Sequence, residues 1–192
     1  MGRRVAIAGT LAILLLFAGV VFVAKRGMPS FGRRPVAKPS AAVAPAAPAT
    51  PGRKIKARLF YVAEDGTRLT SVERDVAYGE GADDQAREII AAQITPVTEP
   101  LISAIPPGTT LRAVFITKSG DAYVDLSREA RTAHPGGTVD ELLTVYTIVN
   151  ALTVNLPAVT GVQVLVDGKE VDTLSGHVDL RRPLAKNLSW VQ

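Results

Sequence analysis

The 192-residue sequence predicts an α+β fold, with two helices packed on a mostly antiparallel sheet in the order β-β-α-β-β-α-β-β. Three observations carry this reading. Alternating apolar segments come in pairs around turn signals. Two longer segments repeat their apolar residues with helical spacing. One uncharged apolar run and an Ala/Pro-rich stretch precede them, read as a transmembrane helix and a disordered linker. The expected boundaries are 5–24 for the anchor, 25–54 for the basic linker and 55–188 for the folded domain.

Val5 to Ala24 holds twenty residues without a charge. At about 1.5 Å per residue, such a helix crosses a hydrocarbon core of about 30 Å. A cleavable signal peptide has a shorter apolar core, roughly 7–15 residues, that ends in small residues. Here Phe22 stands three places before the Ala24-Lys25 junction, and the chain has no Cys for lipid attachment. The run is therefore read as a retained single-span anchor in the inner or cytoplasmic membrane. Arg3 and Arg4 precede it; Lys25, Arg26, Arg33, Arg34 and Lys38 come after it. That balance alone favours a cytoplasmic domain. The layout of anchor, long spacer and domain is that of an exported protein, and the expected location of the domain is extracytoplasmic (periplasmic).

Pro35 to Pro51 contains five Pro and seven Ala, a composition that buries no core and favours extended chain. The basic character of the protein belongs to this end. Residues 1–56 carry ten Lys and Arg and no acid, whereas residues 57–192 carry twelve against eighteen Asp and Glu, a net charge of −6. An acidic domain gains nothing from phosphate counterion release, so no nucleic-acid partner is expected.

Within the domain, Ile55 to Val62 alternates, Glu64-Asp65-Gly66 turns, and Leu69 to Val76 returns as a hairpin partner. Asp83 is placed as the N-cap of a helix carrying Ala86, Ile89, Ile90 and Ile94 on one face, stopped by Thr95-Pro96. A Pro-rich loop, Pro96 to Gly108, leads to a strand over 111–117. Ser119-Gly120-Asp121 turns it into a strand over 122–126. Thr138-x-x-Glu141 has capping-box spacing. The helix it opens has a stripe of Leu142, Val145, Val149, Leu152 and Leu156, widened by Leu143, Tyr146 and Ile148, which predicts cover on more than one side. Val162–Val166 reads as a strand, Asp167-Gly168 as a hairpin turn, and Val171–Leu174 as the returning strand.

The chain resembles the GerMN domain of the spore-germination protein GerM family. The resemblance rests on Leu59-Phe60-Tyr61, Ile105-Pro106-Pro107-Gly108-Thr109, Ala122-Tyr123-Val124-Asp125-Leu126-Ser127 and Tyr146-Thr147-Ile148-Val149-Asn150-Ala151-Leu152-Thr153. It continues through Val162-Gln163-Val164-Leu165-Val166-Asp167-Gly168 and Gly176-His177-Val178-Asp179-Leu180. It covers about residues 55–184, with one copy of the domain. It implies a membrane-anchored or lipoprotein module facing the cell envelope, without established catalysis, some relatives taking part in sporulation assemblies.

Several residues stand out as candidates for binding. His177 and Asp179, with Asp125 in a similar Val-Asp-Leu setting, form a grouping with acid/base potential. The structural alternative is that each Asp fixes a turn by accepting backbone N–H bonds, with Ser127 as a local cap beside Asp125. Thr147, Asn150 and Thr153 form a polar stripe at three-residue spacing on the second helix. That stripe either meets a glycan or partner, or bonds to buried loop backbone, where an unpaired polar group costs about 1–3 kcal/mol. His134-Pro135-Gly136-Gly137 reads as a mobile connection. Two His and no Cys make a zinc site an unusual carboxylate set, so no metal and no cofactor are expected. The sequence has no P-loop, dinucleotide fingerprint or Gly-x-Ser-x-Gly, and no catalytic residue is assigned. The expected function is a non-enzymatic envelope module that docks other proteins, in an assembly, cell-wall or sporulation-type complex. Peptidoglycan or glycan binding is the alternative, and a hydrolase using Asp125, Asp179 and His177 the second alternative.

Overall fold

The computed structural model describes residues 52–192. The expected anchor, and the linker up to residue 51, lie outside them. Among the described residues, no helix is long and apolar enough to cross a membrane.

β1 (Lys54–Val62) and β2 (Leu69–Ala77) form an antiparallel hairpin in unbroken register, from Lys54 opposite Ala77 to Val62 opposite Leu69. They form a two-stranded sheet of their own. A second, four-stranded sheet has the order β3 (Leu111–Ile116), β4 (Asp121–Leu126), β5 (Gly161–Val166), β6 (Lys169–Glu170). The mostly antiparallel pairing expected from the sequence is found, in three of the four strand pairs, but the single sheet is corrected. Among the described residues there are two sheets, and the central pair β4–β5 of the larger one is parallel. Parallel strands need a long crossover, and a helix supplies it between β4 and β5.

Three helices complete the domain: α1 (Ala82–Ile94), the short α2 (Glu129–Thr132) and α3 (Thr138–Asn155). The single turn of α2 was not expected from the sequence. Asp83 is not the N-cap of α1; Gly81 is, and Asp83 lies in the first turn. Its Oδ1 accepts the Ile116 N–H at 2.8 Å, which occupies a backbone donor on the outer strand β3. Gly79 lies where a Cβ would come within 2.3 Å of the Gln85 backbone nitrogen. That close approach lets Gln85 bond both the Gly79 N–H and the Ala77 carbonyl, fixing the β2–α1 turn.

The expected capping box of α3 does not form. Gly137, with φ of 88°, is the N-cap and makes no side-chain cap bond. Glu141 therefore falls one position beyond the capping-box partner and turns into the interior, where it is fully buried. The predicted cover on more than one side is correct. Leu143, Val145, Ile148, Val149, Ala151 and Leu152 are all buried, and so are the polar positions between them. Each fully buried aliphatic side chain here contributes about 1.5–3 kcal/mol. The returning strand expected at Val171–Leu174 is absent; β6 is only Lys169–Glu170. Asp167 and Gly168, both at positive φ, close the tight turn, and the chain then leaves the sheet for Glu141.

The outer edge of β1 is closed by side chains rather than by a third strand. The Gln93 amide accepts the Phe60 N–H at 2.9 Å and donates to the Phe60 carbonyl at 2.7 Å. The Asn155 amide does the same for Arg58, at 2.8 Å in both directions. Val62 N–H then reaches the Ile102 carbonyl at 2.8 Å. Alternate residues 58, 60 and 62 are thus paired along one edge, and each primary amide stands in for a peptide group.

The chain end is part of the domain, beyond the expected boundary at 188. The Leu69 N–H donates to the Trp190 carbonyl at 2.7 Å, and the Gln192 N–H to the Leu69 carbonyl at 2.9 Å.

The two amide clasps differ in burial, which gives a direct test. Gln93→Met leaves two buried backbone groups of Phe60 without partners, each costing about 1–3 kcal/mol, so destabilisation of at least about 2 kcal/mol is expected in urea unfolding. Asn155→Ala leaves the more exposed Arg58 groups to water, with an expected loss of only about 0.5–1.5 kcal/mol.

Candidate functional site

The polar stripe on α3 faces the interior. Thr147 and Asn150 are fully buried and Thr153 nearly so. Asn150 donates to the Asn187 carbonyl at 2.8 Å and accepts the Asn187 N–H at 3.1 Å, fastening the chain end to α3. Thr153 Oγ1 donates one turn back to the Val149 carbonyl at 2.7 Å. The Thr147 hydroxyl is buried without a hydrogen-bond partner among the described residues.

The two aspartates sit in different settings. Asp125, on β4, accepts from Arg112 Nε at 2.9 Å and from the Gly168 N–H at 2.8 Å. It holds the tip of the β5–β6 hairpin rather than its own following turn. Ser127 does not cap beside it; its Oγ accepts the Thr110 N–H at 3.0 Å, across the sheet from β4. Asp179 is exposed and fixes a local turn, accepting the Arg181 N–H at 3.1 Å and two guanidinium bonds at 2.9 and 2.7 Å. The Arg181 guanidinium and backbone N–H hold the Asp179 carboxyl far below the usual carboxylate range. Among the described residues, Asp125 and Asp179 share no hydrogen-bond partner.

His177 belongs to a different centre, one the sequence reading missed. Glu141 Oε1 accepts the Leu174 and Ser175 N–H groups at 2.8 and 2.9 Å. Its Oε2 accepts the His177 N–H at 2.7 Å and lies 3.2 Å from His177 Nδ1. Burial alone pushes this carboxyl up, but the Ser175, His177 and Leu174 N–H groups outweigh it and lower its pKa overall. The fitted capping-box spacing hid this role, although a Glu bordering a long apolar stripe was the available signal.

His134 is fixed beside this centre rather than carried on a free connection. Its Nδ1 accepts the Gly136 N–H at 3.0 Å, which places the proton on Nε2, 3.3 Å from Thr144 Oγ1. Thr144 passes a bond on to the Ala104 carbonyl at 2.6 Å. One imidazole thereby ties the 134–137 turn, α3 and the Pro-rich loop. Burial lowers the His134 pKa, only partly opposed by Glu141 and Asp140.

An open groove of about 770 Å³ runs between the end of α1 and the Pro-rich loop. Its lining includes Ala91 and Ile94 of α1, Val97, Ile105 and Pro107 of the Pro-rich loop, and Leu111 at the start of β3. Its chemistry is that of apolar contact. Among the described residues, no group of three His, Asp or Glu side chains is placed to hold a metal ion.

The family described as "Germane: Sporulation and spore germination" matches residues 58–172. The chain belongs to this family. The Germane domain fold is similar to that of a protein described as a lipoprotein from Clostridium perfringens, at 24% identity and a TM-score of 0.50, over 69% of this chain and 88% of that one. It is also similar to the tandem GerMN domains of the sporulation protein GerM from Bacillus subtilis, at 20% identity and a TM-score of 0.51, over 71% of this chain. The match takes in 46% of that tandem structure, so this chain spans about half its length. The resemblance to GerMN domains read from the sequence is correct. No curated protein matches the chain.

The half-buried His134 imidazole gives the Germane domain a defined pH dependence. A His whose folded pKa is depressed leaves stability intact above the unfolded value of about 6.5 and removes it as pH falls toward the folded value. Urea unfolding between pH 7.5 and 5 is expected to show falling stability over this window. His134→Gln is expected to flatten that part of the profile.

Proposed function

We propose that this chain is a membrane-anchored, non-enzymatic cell-envelope module that docks other proteins in an assembly, cell-wall or sporulation-type complex. The observation that carries the reading is the open apolar groove between the end of α1 and the Pro-rich loop. Its walls present aliphatic and Pro side chains suited to an extended apolar segment of a partner. The side chains with acid/base chemistry support the same reading, because Asp125, Asp179 and Glu141 are engaged with backbone or Arg groups of their own domain.

Two further observations support an envelope location. The uncharged run Val5 to Ala24 and the Ala/Pro-rich stretch after it have the composition of an anchor and a spacer. A structural neighbour is described as a lipoprotein. Protein docking is favoured over glycan docking because Trp190, the only Trp of the chain, packs its partly buried ring against the core.

Because the chain has no Cys, Val97→Cys places one thiol in the groove. In intact host cells, with any outer membrane opened beforehand, this thiol is expected to react with a membrane-impermeant maleimide carrying a photocrosslinker. Illumination is then expected to join the full chain reproducibly to an envelope protein. Labelling only after the cytoplasmic membrane is opened contradicts the location; labelling without any protein adduct contradicts docking at the groove.

A further inference from the structure

A cleft of about 530 Å³ lies on another part of the domain, between α2 and the β5–β6 hairpin. Its apolar lining includes Val166 and Leu174, both buried, together with the half-buried Val171. Arg128, Arg131 and Lys169 line it as well, against Asp167 and Glu170, so its charged lining is net positive. This is a basic concavity on a domain whose residues 57–192 carry a net charge of −6.

The charges in it are not equivalent. Arg128 is paired with Glu129 at 3.3 Å, and Asp167 with Arg112 at 3.3 Å. Among the described residues, Arg131 and Lys169 make no ion pair. Arg131 is nonetheless positioned, because its Nε donates to the Leu174 carbonyl at 3.4 Å. The N–H of the same Leu174 is held by the buried Glu141 carboxylate at 2.8 Å. The residue that forms part of the floor is thus fixed on both sides. The terminal nitrogens of Arg131 make no hydrogen bond to the described residues.

We propose that this cleft binds an acidic peptide segment, one carboxylate meeting Arg131 and Lys169 while an adjacent aliphatic side chain covers Val166, Val171 and Leu174. A guanidinium fork matches a planar carboxylate, and the apolar floor gives the neighbouring residue a place to bury. Asp167 and Glu170 offset part of the positive charge of the cleft, and an inorganic phosphate would leave the apolar floor of Val166, Val171 and Leu174 uncovered, so a carboxylate with an aliphatic neighbour fits the lining better. The partner's protein nature rests on the docking reading above, whereas the preference for a carboxylate stands on the cleft alone. Failure at the groove and failure at this cleft are therefore separate results.

The test is a fluorescence-anisotropy titration of the detergent-solubilised full chain with a labelled peptide of alternating Leu and Glu. Binding is expected to weaken with added salt and to vanish for the matching Leu/Gln peptide. Lys169→Gln removes an exposed charge and is expected to weaken binding about tenfold, as loss of one charged contact does. Arg131→Gln is expected to weaken it at least as much, with the circular dichroism spectrum of each variant compared to the parent. Equal binding of the Leu/Gln peptide overturns the proposal, as does unchanged affinity in Lys169→Gln. Displacement of the peptide by inorganic phosphate at concentrations where acetate has no effect also overturns it, in favour of a phosphate site.

Discussion

The carboxylate of Glu141 is the interaction on which the chain after β6 depends. A carboxylate brought fully out of water is costly unless its oxygens are supplied with donors. Here three backbone N–H groups, of Leu174, Ser175 and His177, converge on it. The donors all come from the stretch after β6, a part of the chain with little regular secondary structure. One helical side chain therefore does for that stretch what a strand partner would otherwise do.

Residues 178–192 are held to the domain by a succession of similar bonds. The Leu180 carbonyl accepts the side-chain amide of Gln163 on β5. Leu184 and Val162 exchange two backbone bonds at 2.9 Å. Asn150 clasps Asn187 in both directions, and the final residues pair with Leu69 at the start of β2. The irregular chain end thus joins α3, β5 and β2. The same economy appears at β1, where Gln93 and Asn155 supply peptide-like amides to a strand edge. In both places α3 offers polar side chains to neighbouring backbone, joined by Gln163 of β5 at the chain end and by Gln93 of α1 at β1, and the backbone they pair with need not belong to a sheet. The residues that could have suggested chemistry are thereby used for assembly. The domain also presents concave surfaces, an apolar one and a basic one among them.

The sequence made the local elements plain and their assembly much less so. The β1–β2 hairpin was legible because alternation and an Asp-Gly turn specify it within a few residues. The long helix α3 was legible from its stripe, and so was its cover on several sides. The parallel pairing of β4 with β5 was not, because local periodicity carries no information on strand direction across an 18-residue helix. The capping-box spacing at Thr138 and Glu141 misled in a specific way. Gly137 took the cap at positive φ, which moved Glu141 by one position and turned it inward. The short β6 had the same origin, since the pull of Glu141 on Leu174 acts over 33 residues and leaves no local trace. For Thr147, Asn150 and Thr153, spacing identified a shared stretch of helix but not which way it faced. The Asn150 bonds to Asn187 supply that direction, and they too are long-range.

The central claim is that the buried charge of Glu141 organises the chain end. Hydrogen exchange of Glu141→Gln, monitored by mass spectrometry and compared with the unaltered chain, tests it most directly. Gln keeps the size of the side chain but replaces one acceptor oxygen by an N–H₂ donor facing backbone donors. The expected result is lost protection at residues 174–177, spreading to Leu184 and Val191 and to the Leu69 amide that Trp190 holds, while the amides of β1, α1 and the remainder of β2 stay protected. Unchanged protection from Leu174 to Val191 would contradict the account, because the segment would then be held by its apolar contacts alone.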